Sequence, residues 1–385
     1  MPRKLKIALV SLLIVAGLSL AFVGGCTLNI FQQSGTTAVD RINTDLINTV
    51  YGMIKARYVE PDNIDAQKLT EGALKGLMDA LDDPHSSYMT QSQFKDMNDS
   101  LAGTFEGIGA YVGMENGTVT IIAPIPGTPA DKAGIRAGDM ILEINGQSTA
   151  GMSANDAVLL IRGPKGTPVT LTVLHKNETQ TVTLEIIRAT IEVPSVELEM
   201  HDAIARIRIT NFAERTEEEL TDVLKTLINN KATGIILDLR NNPGGYLDVC
   251  IRVASHFIEK GTVVSVIDRD GNKTTHSVAG VSPKITLPMV VLVNEYSASA
   301  SEVLTGALQD YGRAKVAGTV TYGKGSVNTL LELPDGSGIY LTIARWYTPN
   351  NNLIEGKGIT PDETLDFTEV DGIQWAIDYL RSQNN

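Results

Sequence analysis

The chain has 385 residues, 43% apolar and 20% charged, an ordinary globular composition with room for two or three domains. A formal net charge of −13, with no basic stripe beyond the first six residues, argues against a nucleic-acid partner, because neutralising phosphates needs clustered Lys and Arg. Two cysteines, Cys26 and Cys250, are too few for a disulfide scaffold, so the fold must stand on its core.

Arg3, Lys4 and Lys6 precede an uncharged apolar run from Ile7 to Val23, the pattern of an export signal. The run is at the short limit for a membrane-spanning helix, which needs ~20 residues. It ends in Val23-Gly24-Gly25-Cys26, which resembles the lipobox of bacterial lipoproteins, where the Cys becomes the lipidated first residue. Lipidation at Cys26, an uncleaved anchor and a cleaved soluble chain stay open. All three place the mature chain outside the cytoplasm, and the first two tether it to the cell membrane. Residues 1–26 are the export segment and 27–37 a polar tether.

Ile42, Leu46, Val50 and Met53 recur at helical spacing, as do Leu69, Ala73, Leu77 and Leu81 before Asp82-Asp83-Pro84. Residues 38–102 are therefore a helical region. Glycines and short β-rich runs then fill 103–188: 118–122, 140–144, 169–174 and 181–187, with a short helix at 153–161. From 189 to 366 strands and helices alternate, which predicts an α/β domain. Its strands are expected at 204–209, 234–239, 263–267 and 289–293, with a hairpin of 326–333 and 338–346. Its helices are expected from Thr216, where Glu219 completes a capping box, and at 246–259 and 299–310. A last helix, 371–382, lies in the C-terminal segment 367–385. Cys250 falls in a helical pattern and reads as a buried structural thiol.

The strongest local feature is Asn294-Glu-Tyr-Ser-Ala-Ser-Ala-Ser-Glu302, between an apolar strand and a helix. A serine at such a turn exposes its hydroxyl beside the first N–H groups of the helix, which suits a nucleophile whose intermediate is an oxyanion. Ser299-x-x-Glu302 is equally a capping box, and this segment alone does not decide between the two. A serine nucleophile needs a base. None of the five histidines sits in a recognisable catalytic or metal-binding arrangement. Lys324 in Gly323-Lys-Gly325 is the other candidate, although a surface loop lysine would look the same. An amine acts as base only when neutral, and a free lysine is neutral in about one molecule in two thousand near pH 7. Burial is the physical route to a usable fraction. Gly318 to Lys324 also fits the start of a phosphate-binding loop. Residue 325 is Gly rather than Ser or Thr, and a strand rather than a helix follows, so that reading fails.

Seven segments in order resemble the carboxy-terminal processing peptidases, tail-specific serine proteases, over about 40–366. They are Asp83-Pro-His-Ser-Ser-Tyr88, Phe105-Glu-Gly-Ile-Gly-Ala110, Gly138 to Gly146, Ile236 to Gly245, Ser297 to Glu302, Gly323-Lys-Gly325 and Gly356 to Asp362. The resemblance implies a multidomain α/β protein: an N-terminal helical region, a β-rich PDZ domain and an α/β peptidase core with a mixed sheet. It implies Ser299 as nucleophile, Lys324 as base, and an oxyanion hole from the N–H groups of Gly245 and Ala300. Gly107, Ile108, Gly109 and Ala110 map to the loop that binds a terminal carboxylate. The family's usual Gln four residues after the Lys, which orients the amine, is Asn328 here. No metal or cofactor is implied. The expected partners are proteins with accessible apolar C-termini, and the helix at 39–54 is compatible with pairing of two subunits. The competing reading is a catalytically silent PDZ scaffold that binds tails without cutting.

Overall fold

The computed structural model describes residues 41–383, so the export segment, the tether and Cys26 lie outside the described residues. Of the described residues, 41–69 form a unit of their own. Its helix α1 (Thr44–Arg57) starts at Asn43, whose side chain accepts the Leu46 N–H at 3.0 Å. Leu46, Val50 and Met53, the periodic apolar positions, are exposed in this unit. Helix α2 (Ala66–Asp79) begins here and ends ahead of Asp82-Asp83-Pro84.

The second unit runs from Thr70. Strand β1 (Ser87–Met89) leads into α3 (Gln91–Ala102), which opens with a reciprocal Thr90–Gln93 capping box. The β-rich module follows. Its antiparallel sheet has the order β3 (Ala110–Glu115), β4 (Thr118–Pro124), β5 (Met140–Ile144), β7 (Pro168–Leu174), β8 (Thr181–Ile187), with β6 (Gln147–Ser148) folded back on β5. Alternate residues Val169, Leu171 and Val173 are buried against Ile121, Ile141 and Ile186, so a period of two sets the register. Helices α4 (Pro129–Lys132) and α5 (Ala154–Ile161) complete the module. β3 is a free edge of this sheet. Strands β2 (Thr104–Gly107) and β9 (Ala189–Glu192) pair antiparallel, so the chain enters and leaves the module through one ribbon.

The α/β domain is built on a mixed sheet. In order its strands are β10 (Val196–His201), β11 (Ile204–Ile209), β12 (Gly234–Asp238), β15 (Met289–Val293), β16 (Lys315–Gly318) and β19 (Glu363–Thr364). Only the β10–β11 pair is antiparallel. Every residue of β12 and β15 is buried, as continuous apolar runs between two helical layers require. Ile235, Leu237, Val291 and Val293 face a core shared with α6 (Thr216–Asn229), α7 (Leu247–Phe257) and α8 (Ala300–Asp310). Ile236, Val290 and Leu292 face Ala376, Ile377 and Leu380 of α9 (Gly372–Gln383). The expected capping box at Thr216 is not formed. Arg215 takes the cap position, because the Thr216 and Glu219 side chains are used on the loop before β10. Thr216 Oγ1 pairs with Ser195 Oγ at 2.7 Å, and Glu219 accepts the Ser195 N–H at 2.7 Å.

The same unit carries a second sheet. β18 (Gly338–Tyr347) carries β17 (Ser326–Glu332) on one edge, and β1 followed by β13 (Thr262–Asp268) on the other, with β14 (Lys273–Ser277) beyond β13.

Candidate active site

Ser299 stands where buried β15 gives way to α8, at the carboxyl end of a central parallel strand, where open α/β sheets place their ligands. Its backbone has φ 58° and ψ −118°, a sparsely populated region for a residue with a side chain, costing on the order of 1–3 kcal/mol. The turn is held from below. Ser297 Oγ donates to Leu239 O at 2.9 Å, Ala298 N–H to Asn242 O at 3.0 Å, and Ser301 Oγ to the same Asn242 O at 2.8 Å. Cys250, fully buried in α7, donates its thiol to Ala300 O at 3.1 Å, and burial pushes that thiol far above its ordinary range. It is the inert packing residue its helical context suggested.

Asn242 is itself buried and organises the Pro243-Gly244-Gly245 turn. Its amide donates to Ile209 O at 2.8 Å and its carbonyl oxygen accepts the Gly244 N–H at 2.9 Å. A methyl group on Gly244 would stand 2.7 Å from Ser299 Cβ and 3.0 Å from Ala300 N, and one on Gly245 would strike the Phe212 carbonyl. Only glycines at φ +105° and +142° allow this backbone to lie against the serine turn. Among the described residues, the N–H groups of Gly245 and Ala300 are given to no protein acceptor.

Lys324 reaches the site from the loop between β16 and β17. Gly325 lets that loop press on the backbone of Glu355, where a side chain would collide with Glu355 N. Gly323 O accepts the Gly356 N–H at 2.9 Å, which braces the loop against Gly356-Lys-Gly358, and Gly325 O accepts the Trp346 N–H of the strand 338–347 at 2.7 Å. Lys324 Nζ donates to Tyr340 Oη at 3.2 Å and lies 4.9 Å from that ring's centre. No hydrogen bond joins it to Ser299 among the described residues.

The capping-box reading of Glu302 describes half of its role. Its buried carboxylate accepts the Ser299 N–H at 2.8 Å, and also the Thr321 hydroxyl at 2.5 Å, the Gly323 N–H at 2.7 Å and the Lys324 N–H at 2.9 Å. One side chain thus ties the backbone of Ser299 to the backbone of Lys324. Burial pushes the carboxyl above its usual range, and the four bonds offset only part of that. The sequence signal for this was the Ser-x-x-Glu spacing, which names only the local bond.

Asn328 is not brought to the amine. Its amide donates to His85 O at 2.8 Å and Thr342 Oγ1 at 3.0 Å, and its carbonyl oxygen accepts Ser326 Oγ at 2.9 Å. A stem one methylene shorter than glutamine stays with its strand neighbours. Tyr296, Val320 and Tyr322, three exposed apolar side chains, belong to the Ser299 and Lys324 segments, and Tyr322 N–H donates to Ser297 O at 3.0 Å. Deeper in the same sheet, buried Asp238 accepts from Arg240 and Arg206. Burial opposes its ionisation, yet Arg240 and then Arg206 hold the carboxyl below its ordinary range.

The Gly107–Ala110 loop lies at the join of the β2–β9 ribbon and β3. Its carbonyls are occupied, since Ile108 O accepts Ala130 N–H at 2.8 Å and Gly109 O accepts Thr128 Oγ1 at 2.9 Å. The N–H groups of Ile108 and Gly109 are given to no protein acceptor among the described residues, and the loop opens onto the free edge of β3.

Three family models match the chain: peptidase family S41 over residues 203–365, a PDZ domain over 120–174, and the N-terminal domain of activating protease CtpB over 28–93. The chain is 41% identical to the carboxy-terminal processing protease CtpA of Bacillus subtilis over 365 residues, covering 94% of this chain and 77% of that protein. It is 41% identical to the carboxy-terminal-processing protease of Bartonella bacilliformis, over 81% of this chain and 73% of that one. Among solved structures it is similar to the photosystem II D1 C-terminal processing protease, at 29% identity and a TM-score of 0.50, over 85% of this chain and 94% of the other.

Proposed function

Because the chain belongs to the carboxy-terminal processing serine proteases of peptidase family S41, with a PDZ domain, we propose that it cuts exported proteins near their C-termini with Ser299 as nucleophile and Lys324 as general base. The observation that carries this reading is the four-bonded Glu302 carboxylate, which fastens those two residues' segments to each other although they are far apart in sequence.

In the proposed cycle neutral Lys324 takes the Ser299 proton as Oγ attacks the scissile carbonyl. The oxyanion is received by the Gly245 and Ala300 N–H groups. The protonated amine then gives its proton to the leaving nitrogen, and a water activated by the same lysine hydrolyses the acyl-enzyme. The absence of a Ser299–Lys324 hydrogen bond accords with this, because such bonds often close only around bound substrate. Exposed Tyr296, Val320 and Tyr322 offer apolar surface to the residues flanking the cut.

Tail selection is assigned to the module at 103–188. A terminal carboxylate is received by the Ile108 and Gly109 N–H groups, and the peptide adds as a strand to β3. The basic n-region, apolar run and Cys26 support a reading in which the work is done outside the cytoplasm, at the membrane.

The test is a cleavage assay on a protein with an unstructured apolar tail, comparing the chain from residue 27 with Ser299→Ala, Lys324→Ala and a tail-amidated substrate. Cutting by the unsubstituted enzyme alone, weakened by amidation, is the expected result. Undiminished cutting by Lys324→Ala would remove the dyad, and indifference to amidation would remove carboxylate capture.

A further inference from the structure

Once the Asn328 amide is committed to His85 O, Thr342 and Ser326, the amine of Lys324 needs another partner to fix its direction. A lysine stem has four rotatable bonds and a head group free to spin. A neutral amine has one lone pair, and that pair must face the serine hydroxyl. An acceptor that captures one N–H stops the spin and sets where the lone pair points.

We propose that Tyr340 is this positioning residue: its phenol oxygen accepts one N–H of Lys324 and aims the lone pair at Ser299. The inference rests on the Ser299–Lys324 reading. Tyr340 Oη lies 3.2 Å from Nζ and the ring centre 4.9 Å from it, so the amine sits at the phenol tip. Both partners are fixed at their backbones. The Lys324 N–H is bonded to Glu302 at 2.9 Å and the next carbonyl, Gly325 O, to Trp346 N–H at 2.7 Å. Tyr340 is clamped between Leu330 of β17 and Ser87 of β1, and two residues on, the Thr342 N–H donates to Ser86 Oγ at 3.0 Å. β17 and β18 are one hairpin, so the lysine loop and the tyrosine strand hold a constant relation. Tyr340 keeps its own proton throughout; the proton in transit passes only between Ser299 Oγ and Lys324 Nζ.

The test compares Tyr340→Phe with the unsubstituted enzyme and Lys324→Ala, on one tail substrate, with kcat, KM and thermal midpoint all measured. Phenylalanine keeps the ring and its packing and removes only the oxygen. The expected result is a kcat about 10–100-fold lower, the scale of loss when a reacting group is misplaced by a fraction of an ångström to an ångström. KM and the midpoint should stay as in the parent. A Tyr340→Phe kcat equal to the parent's, with Lys324→Ala silent, overturns the role of Tyr340 alone. A lost rate accompanied by a raised KM or a lowered midpoint makes Tyr340 a packing residue and also overturns it. Full activity in Lys324→Ala overturns the underlying dyad instead.

Discussion

The Glu302 carboxylate accepts two bonds on each oxygen, so no isosteric replacement can reproduce it. Glu302→Gln puts an NH2 either where the Ser299 and Lys324 N–H groups point or where the Thr321 hydroxyl and the Gly323 N–H point, and either placement loosens the tie between the two segments. The expected outcome is a loss of about 10²-fold in kcat/KM with tail binding retained, read by cleavage kinetics beside a fluorescence binding assay. Gly244→Ala is a second test of this neighbourhood. Its methyl would meet Ser299 Cβ at 2.7 Å, so the turn carrying the Gly245 N–H must move. If the Gly245 N–H receives the oxyanion as proposed, kcat should fall by about 10²–10³-fold, the cost of losing one such donor, with KM little changed. Ser299, Lys324, Gly245 and Ala300 were nameable from motif order. Tyr340 was not, because it stands in an ordinary amphipathic strand, and only the β17–β18 register brings its hydroxyl to the lysine.

Buried β12 and β15 were legible as continuous apolar runs, and the helices around them by their 3.6-residue period. β3 was not, since Gly113 and exposed Tyr111 and Met114 blur its alternation, and its place is fixed by pairing with β4. Nor was the capping geometry before α6, where Thr216 and Glu219 serve Ser195 rather than their own helix. At the end of β12, Asp238 binds Arg206 and Arg240 inside the sheet, and Arg240 in turn lies over the Phe367 ring at 4.8 Å. Asp238→Asn leaves two cations without their buried partner and should cost about 3–5 kcal/mol by denaturant unfolding at pH 7. The folded carboxyl is held below its free value, so its contribution is present above about pH 4 and is lost as pH falls through the folded value. The stability gap between parent and Asp238→Asn should therefore narrow in acid; a gap constant from pH 7 to pH 3 would contradict the ion-pair account.

The PDZ module and the peptidase core were separable in the sequence by composition, glycine-rich β runs giving way to strand–helix alternation at about 189. What composition could not give is that one β2–β9 ribbon both admits and releases the module, starting at the Gly107 loop. On the proposed reading, a tail received at Ile108 and Gly109 would extend along the β3 edge, with its free carboxylate held by the loop. The expected result of amidating a tail peptide is at least a tenfold weaker Kd for the chain, measured by titration calorimetry, with the Ser299→Ala form used so that no cutting intrudes.

The central claim is that Lys324 activates Ser299. Its most direct measurement is the rate at which a fluorophosphonate labels the protein, with the modified residue identified by peptide mass spectrometry. Labelling confined to Ser299 and slowed about 10²-fold or more in Lys324→Ala is the predicted result. Labelling at another serine, or an unchanged rate at Ser299 without the lysine, would contradict it.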